Sequence, residues 1–190
     1  MSSLLQVYAV PLYKLNVLMG SRSEKSLNAI LLLQQDFLLR ISNDDEEEIT
    51  CAQALAELVN GEVSSEHLGH LYGYALQAIC AAIGKRLPDL DVVSSLDWIN
   101  EFDQALAQQQ IPLSLMSLMY CGPPVAIPRP DDFPFIGGWT PEEVAAAVAP
   151  LDAMNTDRLN NDHAEALRTI KSWVKQTVEI RDAAIIGFYY

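Results

Sequence analysis

The spacing of apolar residues along the chain predicts that most of it is helical. Within residues 65–83, the apolar positions Leu68, Leu71 and Ala75 recur every three or four residues, which places them on one face of an amphipathic helix. The same spacing returns over residues 161–178, where basic side chains occupy the opposite face. Both segments are therefore predicted to pack one side against a core.

Short sequence signals mark where further helices begin. Thr140, Pro141 and Glu143 form a capping-box pattern with proline in the first turn. Ser21 and Glu24 have the same three-residue spacing and predict another helix start. Six to eight helices are predicted, within residues 12–19, 21–40, 51–59, 65–83, 94–106, 112–120, 140–150 and 161–178.

Two glycines lie one turn apart inside the predicted helix over residues 65–83. Gly69 and Gly73 each cost about 1 kcal/mol relative to alanine in a helix interior. A cost of that size is tolerated where a side chain would collide with a neighbouring segment. The pair predicts that another stretch of backbone passes close to this helix.

The two ends of the sequence have the composition of strands. Residues 4–10 mix β-branched and aromatic side chains and precede Pro11, and residues 183–190 have a similar content. A lone strand leaves its backbone groups unpaired, so we expect the two to pair with each other. The prediction is an α+β fold, predominantly α-helical, with a small sheet that includes both strands, in a single domain over residues 1–190.

Residues 121–139 (CGPPVAIPRPDDFPFIGGW) contain five of the ten prolines of the chain. Proline fixes φ and donates no backbone hydrogen bond, so this segment is predicted to be extended and non-helical. Its large apolar side chains are costly in water, at about 1.5–3 kcal/mol each. We therefore expect it to dock across the helices, with Gly137 and Gly138 turning the chain into the next helix.

Two interpretations of this proline-rich segment remain open. It is either a rigid connector that covers the core, or one wall of a groove with Arg129, Asp131 and Asp132 exposed at the rim. Trp139, at its end, is predicted to be a core residue, with a contact residue as the alternative. The composition of the segment fits both interpretations.

Four short stretches resemble an uncharacterised bacterial protein family. They are residues 8–12 (YAVPL) with Gly20, residues 70–76 (HLYGYAL), residues 122–133 (GPPVAIPRPDDF) and residues 138–143 (GWTPEE). The plan of a first and a last strand is also remotely similar to that of the YfbM-like proteins. The resemblance implies a compact α+β bacterial cytosolic protein and carries over no catalytic signature.

The charge of the chain is strongly negative. It contains 12 Lys and Arg against 25 Asp and Glu, for a formal net charge of -13. Because no basic tail or patch is present, we expect no nucleic-acid partner. Five acids stand together in one run, Asp44, Asp45, Glu46, Glu47 and Glu48. This run is either a solvated loop or an element that faces a basic partner.

The cysteines and the hydropathy indicate a cytoplasmic protein. Cys51, Cys80 and Cys121 are odd in number and widely spaced, which excludes a disulfide framework and suits a reducing compartment. Pro11 and Lys14 interrupt the first apolar run, so we predict no signal peptide. No apolar stretch reaches the length of a membrane span, so we expect no membrane partner.

Candidate chemistry is sparse. His67 and His70 share a predicted helix face, but no second ligand motif accompanies them. We therefore predict that both histidines are solvated and that they form no metal site. Cys121 beside Gly122 could be a nucleophile, although no phosphate loop or hydrolase elbow is present. We expect no cofactor. Several aromatic residues are candidates for a pocket or for the core, namely Tyr72, Tyr74, Tyr120 and Trp139.

Two classes of function fit these observations, and the favoured class is not enzymatic. The first is an acidic interaction protein, such as an immunity or antitoxin-like inhibitor of a basic protein partner. The alternative is a small-molecule-binding protein or enzyme with a pocket under residues 121–139. The oligomeric state is left open. Candidate binding residues are Asp44, Asp45, Glu46, Glu47, Glu48, Arg129, Asp131, Asp132 and Trp139.

Overall fold

The computed structural model describes residues 2–42, 49–64, 68–93, 95–130, 132–154 and 159–190. Within these residues, nine helices and five strands are formed. The helices are α1 (Leu12–Leu18), α2 (Glu24–Leu33), α3 (Gln35–Ser42), α4 (Cys51–Asn60), α5 (Gly69–Ile83), α6 (Leu96–Gln108), α7 (Leu115–Tyr120), α8 (Pro141–Ala153) and α9 (Asn161–Val178). The strands are β1 (Ser2–Pro11), β2 (Lys85–Arg86), β3 (Leu90–Val93), β4 (Phe135–Trp139) and β5 (Ala183–Tyr189).

The strands form one antiparallel sheet with β5 in its interior. The order is β2-β1-β5-β4, and β3 pairs with β1 beside β2 along the same edge. Val7 of β1 and Gly137 of β4 both stand opposite Gly187 of β5. The predicted α+β class, with the N- and C-terminal strands paired in a small sheet, is confirmed.

Helices cover both faces of this sheet. Side chains of a strand alternate between its faces, so Ile185 enters the core beneath α6–α9 while Ile186 enters the core beneath α1–α5. We call α1–α5 the first layer and α6–α9 the second layer. Because both faces are covered, all seven residues of β5 are buried, which explains its nearly unbroken apolar sequence.

Several helix boundaries agree with the sequence signals. The Thr140–Glu143 capping box opens α8, and α9 spans Asn161–Val178 as predicted. The prediction of one helix over residues 21–40 was wrong, because the chain breaks at Gln34 into α2 and α3. Ser23 caps α2 by accepting a hydrogen bond from the Ser26 backbone N–H, so Ser21 is not the cap.

The proline-rich segment ends in a strand that its composition did not predict. We expected Gly137 and Gly138 to form a turn, but both lie in β4 and pair with β5. A Cβ atom added to Gly137 would lie 2.0 Å from the Ser117 carbonyl oxygen and 2.5 Å from the Leu118 carbonyl carbon. Glycine at this position therefore allows the backbone of α7 to lie directly on the sheet.

The two glycines of α5 face the proline-rich segment. A Cβ atom at Gly69 would lie 2.0 Å from the backbone oxygen of Arg129, so the predicted backbone approach is confirmed there. At Gly73 the neighbours are the side chains of Pro134 and Ile136, at 3.3 Å and 3.4 Å, so no backbone approach occurs. The segment is therefore docked on α5 at both positions.

One predicted core position is exposed. Leu68, expected on the packed face of a helix over residues 65–83, is 44% exposed and lies just before α5. Leu96 and Val178, at the ends of α6 and α9, also lie at the surface. No helix among the described residues is long and apolar enough to cross a membrane.

The contact between Gly137 and α7 generates a stability prediction. Gly137→Ala should lower the free energy of unfolding by about 3 kcal/mol or more, because its new methyl group meets rigid backbone atoms. Gly138→Ala is the matched control, since its Cβ would lie 3.1 Å from the Ile185 carbonyl oxygen and needs only a small adjustment. Urea unfolding followed by circular dichroism would measure both, and equal losses would contradict the prediction.

The burial of Trp139 generates a second stability prediction. Its side chain is 1% exposed, and its indole N–H donates to the Ser114 carbonyl oxygen at 2.9 Å. Trp139→Ala should therefore cost about 3–5 kcal/mol in the free energy of unfolding. Leu96→Ala, at an exposed position, should change it by less than about 0.5 kcal/mol. A loss at Trp139 as small as that of the control would show that the side chain is not part of the core.

Candidate functional site

A polar groove opens between the sheet and the first layer of helices. Its volume is about 550 Å³, and its walls come from β1, β2, α3, α5 and the residue that follows β5. We call it the tyrosine–glutamine groove. The side chains used below are Gln6, Tyr74, Gln77, Tyr190, Arg40 and Arg86.

Buried and half-buried amide and phenol groups form a hydrogen-bonded network in the wall of this groove. Gln77 is 2% exposed, and its Nε2 donates to Oε1 of Gln6 at 3.0 Å. The hydroxyl of Tyr190 donates to Oε1 of Gln77. The two bonds fix which end of the Gln77 amide carries the donors, so the polar surface has a defined orientation.

Aromatic rings line the same groove. Tyr74 stacks on Tyr190 with ring centroids 6.2 Å apart and an interplanar angle of 30°. Phe37 meets Tyr74 edge-on at 6.3 Å, and Tyr8 meets Phe188 edge-on at 5.8 Å. Flat rings packed in this way are stiff and apolar with a polar tip, which suits them to hold a flat ligand.

Two phenols of the groove, Tyr8 and Tyr190, remain protonated at neutral pH. Burial raises the pKa of Tyr190 well above its usual range, and nearby Tyr74 adds to the rise. Burial also raises the pKa of Tyr8, against the opposing effect of the Arg86 guanidinium. Both hydroxyls are therefore neutral hydrogen-bonding groups and not a source of negative charge.

Two arginines give this groove a positive character. Arg40 and Arg86 both line it, and no Asp or Glu of the described chain does so. Arg86 uses Nη2 to bind both carboxylate oxygens of Asp89, at 3.0 Å and 2.8 Å. Nε of Arg40 donates to the backbone oxygen of Asp36 at 3.4 Å, so in that contact its charge meets no carboxylate.

A second cavity, of about 430 Å³, lies against the proline-rich segment. Cys121, Ile127 and Arg129 border it, and apart from Tyr120 all of its lining residues belong to the segment itself. That the segment forms one wall of a larger groove stays a prediction. Arg129 and Asp132 are exposed, and Oδ1 of Asp132 accepts a hydrogen bond from the Phe133 backbone N–H at 2.7 Å. Asp132 therefore stabilises the local turn.

The remaining predicted site residues are dispersed. Trp139 lies in the core of the second layer, so the suggested contact role is wrong, because a side chain 1% exposed cannot touch a partner. Asp44–Glu48 and Asp131 lie outside the described residues, and their contact role stays a prediction. The structure therefore gathers no single site from the sequence candidates.

The aromatic candidates divide between core and groove. Tyr72 is fully buried, and its hydroxyl donates to Glu57. Burial and that hydrogen bond raise the pKa of Tyr72 to about 12. Tyr74 lines the tyrosine–glutamine groove, whereas Tyr120 borders the cavity of the proline-rich segment. Of these aromatic candidates, Tyr74 alone shares a cavity wall with both an arginine and a glutamine side chain.

The cysteines and histidines of the described chain form no catalytic or metal-binding group that we can identify. Burial raises the pKa of Cys51 to about 12 and that of Cys80 higher still, so both thiols act as small apolar core residues. His163 is buried, and its ring centroid lies 4.8 Å from that of Trp98. Among the residues that the structure describes, no three His, Cys, Asp or Glu side chains converge to hold a metal ion.

Large apolar side chains are exposed on the outer side of the first layer. Leu32 is 75% exposed, Val17 73%, Leu33 67% and Leu39 53%. Together with Tyr13, these residues form what we call the apolar face. A groove of about 510 Å³ lies between α1 and α2. A second, of about 450 Å³, lies between α2, α3 and the start of α4, and we call it the leucine groove.

The tyrosine–glutamine groove was missed by the sequence analysis. Its residues come from positions as far apart as Gln6 and Tyr190, and no motif links them. One signal was available, since Gln77 interrupts the apolar sequence of α5 between Leu76 and Ala78. A glutamine in such a buried stretch requires hydrogen-bonding partners, and these partners form the groove wall.

Comparisons with known proteins identify the family and nothing finer. Neither the curated proteins nor the solved structures contain a significant match to the sequence. The predicted similarity to YfbM-like proteins and the bacterial origin therefore stay predictions. One family, described as a domain of unknown function (DUF7691), matches residues 1–190, and the chain belongs to this family.

Proposed function

We propose that this protein is a non-enzymatic interaction protein that binds a basic protein partner through the leucine groove. The observation that carries the proposal is the exposure of Leu32 and Leu39, which line this groove. Leaving large leucine side chains in water forgoes about 1.5–3 kcal/mol each. A clustered set of them is typical of a surface that another protein covers.

The position of the acidic run supports a basic partner. The leucine groove has Leu38 and Leu39 of α3 on one side and Thr50 and Ala52 at the start of α4 on the other. In the sequence, residues 43–48 stand between α3 and Thr50, and they include all five adjacent acids. No charged side chain of the described chain lines the groove itself. A segment with apolar side chains in the groove and basic residues beside it matches this combination.

The finer proposal is that binding inhibits the partner, as an immunity or antitoxin-like protein does. A net charge of -13 favours fast association with a basic protein, because long-range attraction steers the encounter. Covering a basic, functional surface of the partner would block it without any chemical step. The lack of a recognisable catalytic group among the described residues is compatible with this role but does not carry it.

The leucine groove generates the first binding prediction. The wild-type chain is used to capture its partner from cells of the organism that encodes it, and the partner is then produced separately. Leu32→Asp with Leu39→Asp should weaken the measured affinity by about 100-fold or more, because two charges enter an apolar contact. Calorimetric titration provides the dissociation constants.

The matched control is Leu96→Asp, which places one charge at an exposed leucine on the second layer. It should leave the affinity within about twofold of wild type. Unchanged binding by the double variant would contradict the proposal. Concentration-dependent dimers of the wild type that the double variant abolishes would assign the face to self-association and also contradict it.

The acidic run generates a separate, kinetic prediction. Replacing Asp45 with Asn and both Glu46 and Glu47 with Gln should slow association with the same partner, because three steering charges are lost. The dependence of the association rate on salt should become flatter. Stopped-flow measurements at two salt concentrations test this. An association rate that responds neither to the three substitutions nor to salt would contradict the steering role and leave the acidic run with only a role in solubility.

A further inference from the structure

We propose that the tyrosine–glutamine groove binds a small organic anion that carries a flat ring. This site is separate from the leucine groove, and the inference does not depend on the proposed protein partner. It follows from three properties of the described residues that occur together there. They are the volume of the groove, the nature of its walls and the sign of its charge.

The volume and walls fit a small molecule. At about 550 Å³, the groove lies within the range of about 300–1,000 Å³ that is common for ligand sites. Phe37 and the stacked pair Tyr74 and Tyr190 supply aromatic surface. Ala78 and Ala81 of α5 supply small side chains beside them, so that part of the wall stays open. A flat ring gains from such surfaces by stacking or edge contact.

The sign of the charge indicates an anion. In a chain with a net charge of -13, the described lining of this cavity has two arginines and no carboxylate, and Asp89 outside the lining offsets the charge of only one of them, Arg86. The guanidinium of Arg40 contacts a backbone oxygen, and the Asp89 carboxylate binds only Nη2 of Arg86. Arginine presents several N–H groups in one plane, which suits a carboxylate or a phosphate group.

The buried network gives the groove a fixed polar pattern. The Gln77 amide donates one N–H to Gln6 and accepts from Tyr190, so its orientation is set before a ligand arrives. The Gln77 side chain also hydrogen-bonds the Tyr8 hydroxyl, so it holds both phenols in place. A ligand therefore meets neutral phenols in fixed positions. Prearranged groups of this kind reduce the entropy lost on binding.

The simpler alternative is that these side chains only satisfy one another in a structural network. That alternative accounts for Gln6, Gln77 and Tyr190, since their hydrogen bonds are mutual. It does not account for Arg40, which lines the same cavity and whose Nε meets a backbone oxygen and not a carboxylate. The two interpretations differ in whether removing one guanidinium changes the affinity for a charged ligand.

The test uses pairs of compounds that differ only in charge. Indole-3-carboxylate is compared with its amide, and adenosine 5′-monophosphate with adenosine, by saturation-transfer NMR and thermal unfolding of the full chain. At least one charged compound should bind with a dissociation constant below about 1 mM and raise the melting temperature. Its uncharged counterpart should bind about tenfold more weakly or not at all.

Matched variants locate the binding. Arg40→Gln should weaken the charged compound about tenfold, whereas Arg168→Gln, which removes the same charge from an exposed position on α9, should leave it within about twofold. Arg40 is itself exposed, so its variant should fold. Leu33→Asp on the apolar face should also leave the affinity unchanged.

Three results would overturn the proposal. The first is the absence of saturable binding by both charged compounds at about 1 mM. The second is binding that Arg40→Gln leaves unchanged. The third is binding that Leu33→Asp abolishes, which would place the compounds on the apolar face. None of these outcomes bears on the protein partner, so the two proposals fail independently.

Discussion

The fold depends on a contact between backbones at the centre of the molecule. Gly137 and Gly187 stand opposite each other on β4 and β5, and Cβ atoms at either would lie within 3 Å of backbone atoms of Ser117 or Leu118. The absence of two side chains lets α7 rest directly on the sheet. Asp103 of α6 fixes that helix by accepting hydrogen bonds from the Leu115 and Met116 backbone N–H groups at 2.7 Å and 3.1 Å. The second layer is thus anchored to the sheet through a helix of only six residues.

The two layers differ in what they present to solvent. The second layer buries Trp139 and Trp173 and holds most of its large apolar side chains inside. The first layer buries a core of its own yet leaves leucines of α2 and α3 outside. It also has the tyrosine–glutamine groove on its inner side, against the sheet. Both proposed binding surfaces therefore belong to the same layer, on its two opposite sides.

Elements with strong local signals could be predicted from the sequence. The capping box at Thr140, the amphipathic spacing of α9 and the composition of β5 each depend on neighbouring residues, and each was correct. β4 was missed because its sequence FIGGW contains two glycines, which are depleted in strands. Its glycines are explained by α7, a neighbour that no local pattern indicates. The groove was missed for the same reason, since its residues meet only after folding.

The position of β5 determines when the sheet can be completed during synthesis, because only the pairs of β1 with β2 and β3 can form before it. β1 and β4 are both translated before β5, yet each pairs with β5 over most of its length. At about 5–20 residues per second, a nascent chain waits about 9–35 s between the emergence of β1 and that of β5. During that interval β1 exposes a long apolar edge that its final partner later covers. Helices of the first layer are the earliest segments that could shield it, and the edge itself gains its partner only when residues 183–189 emerge.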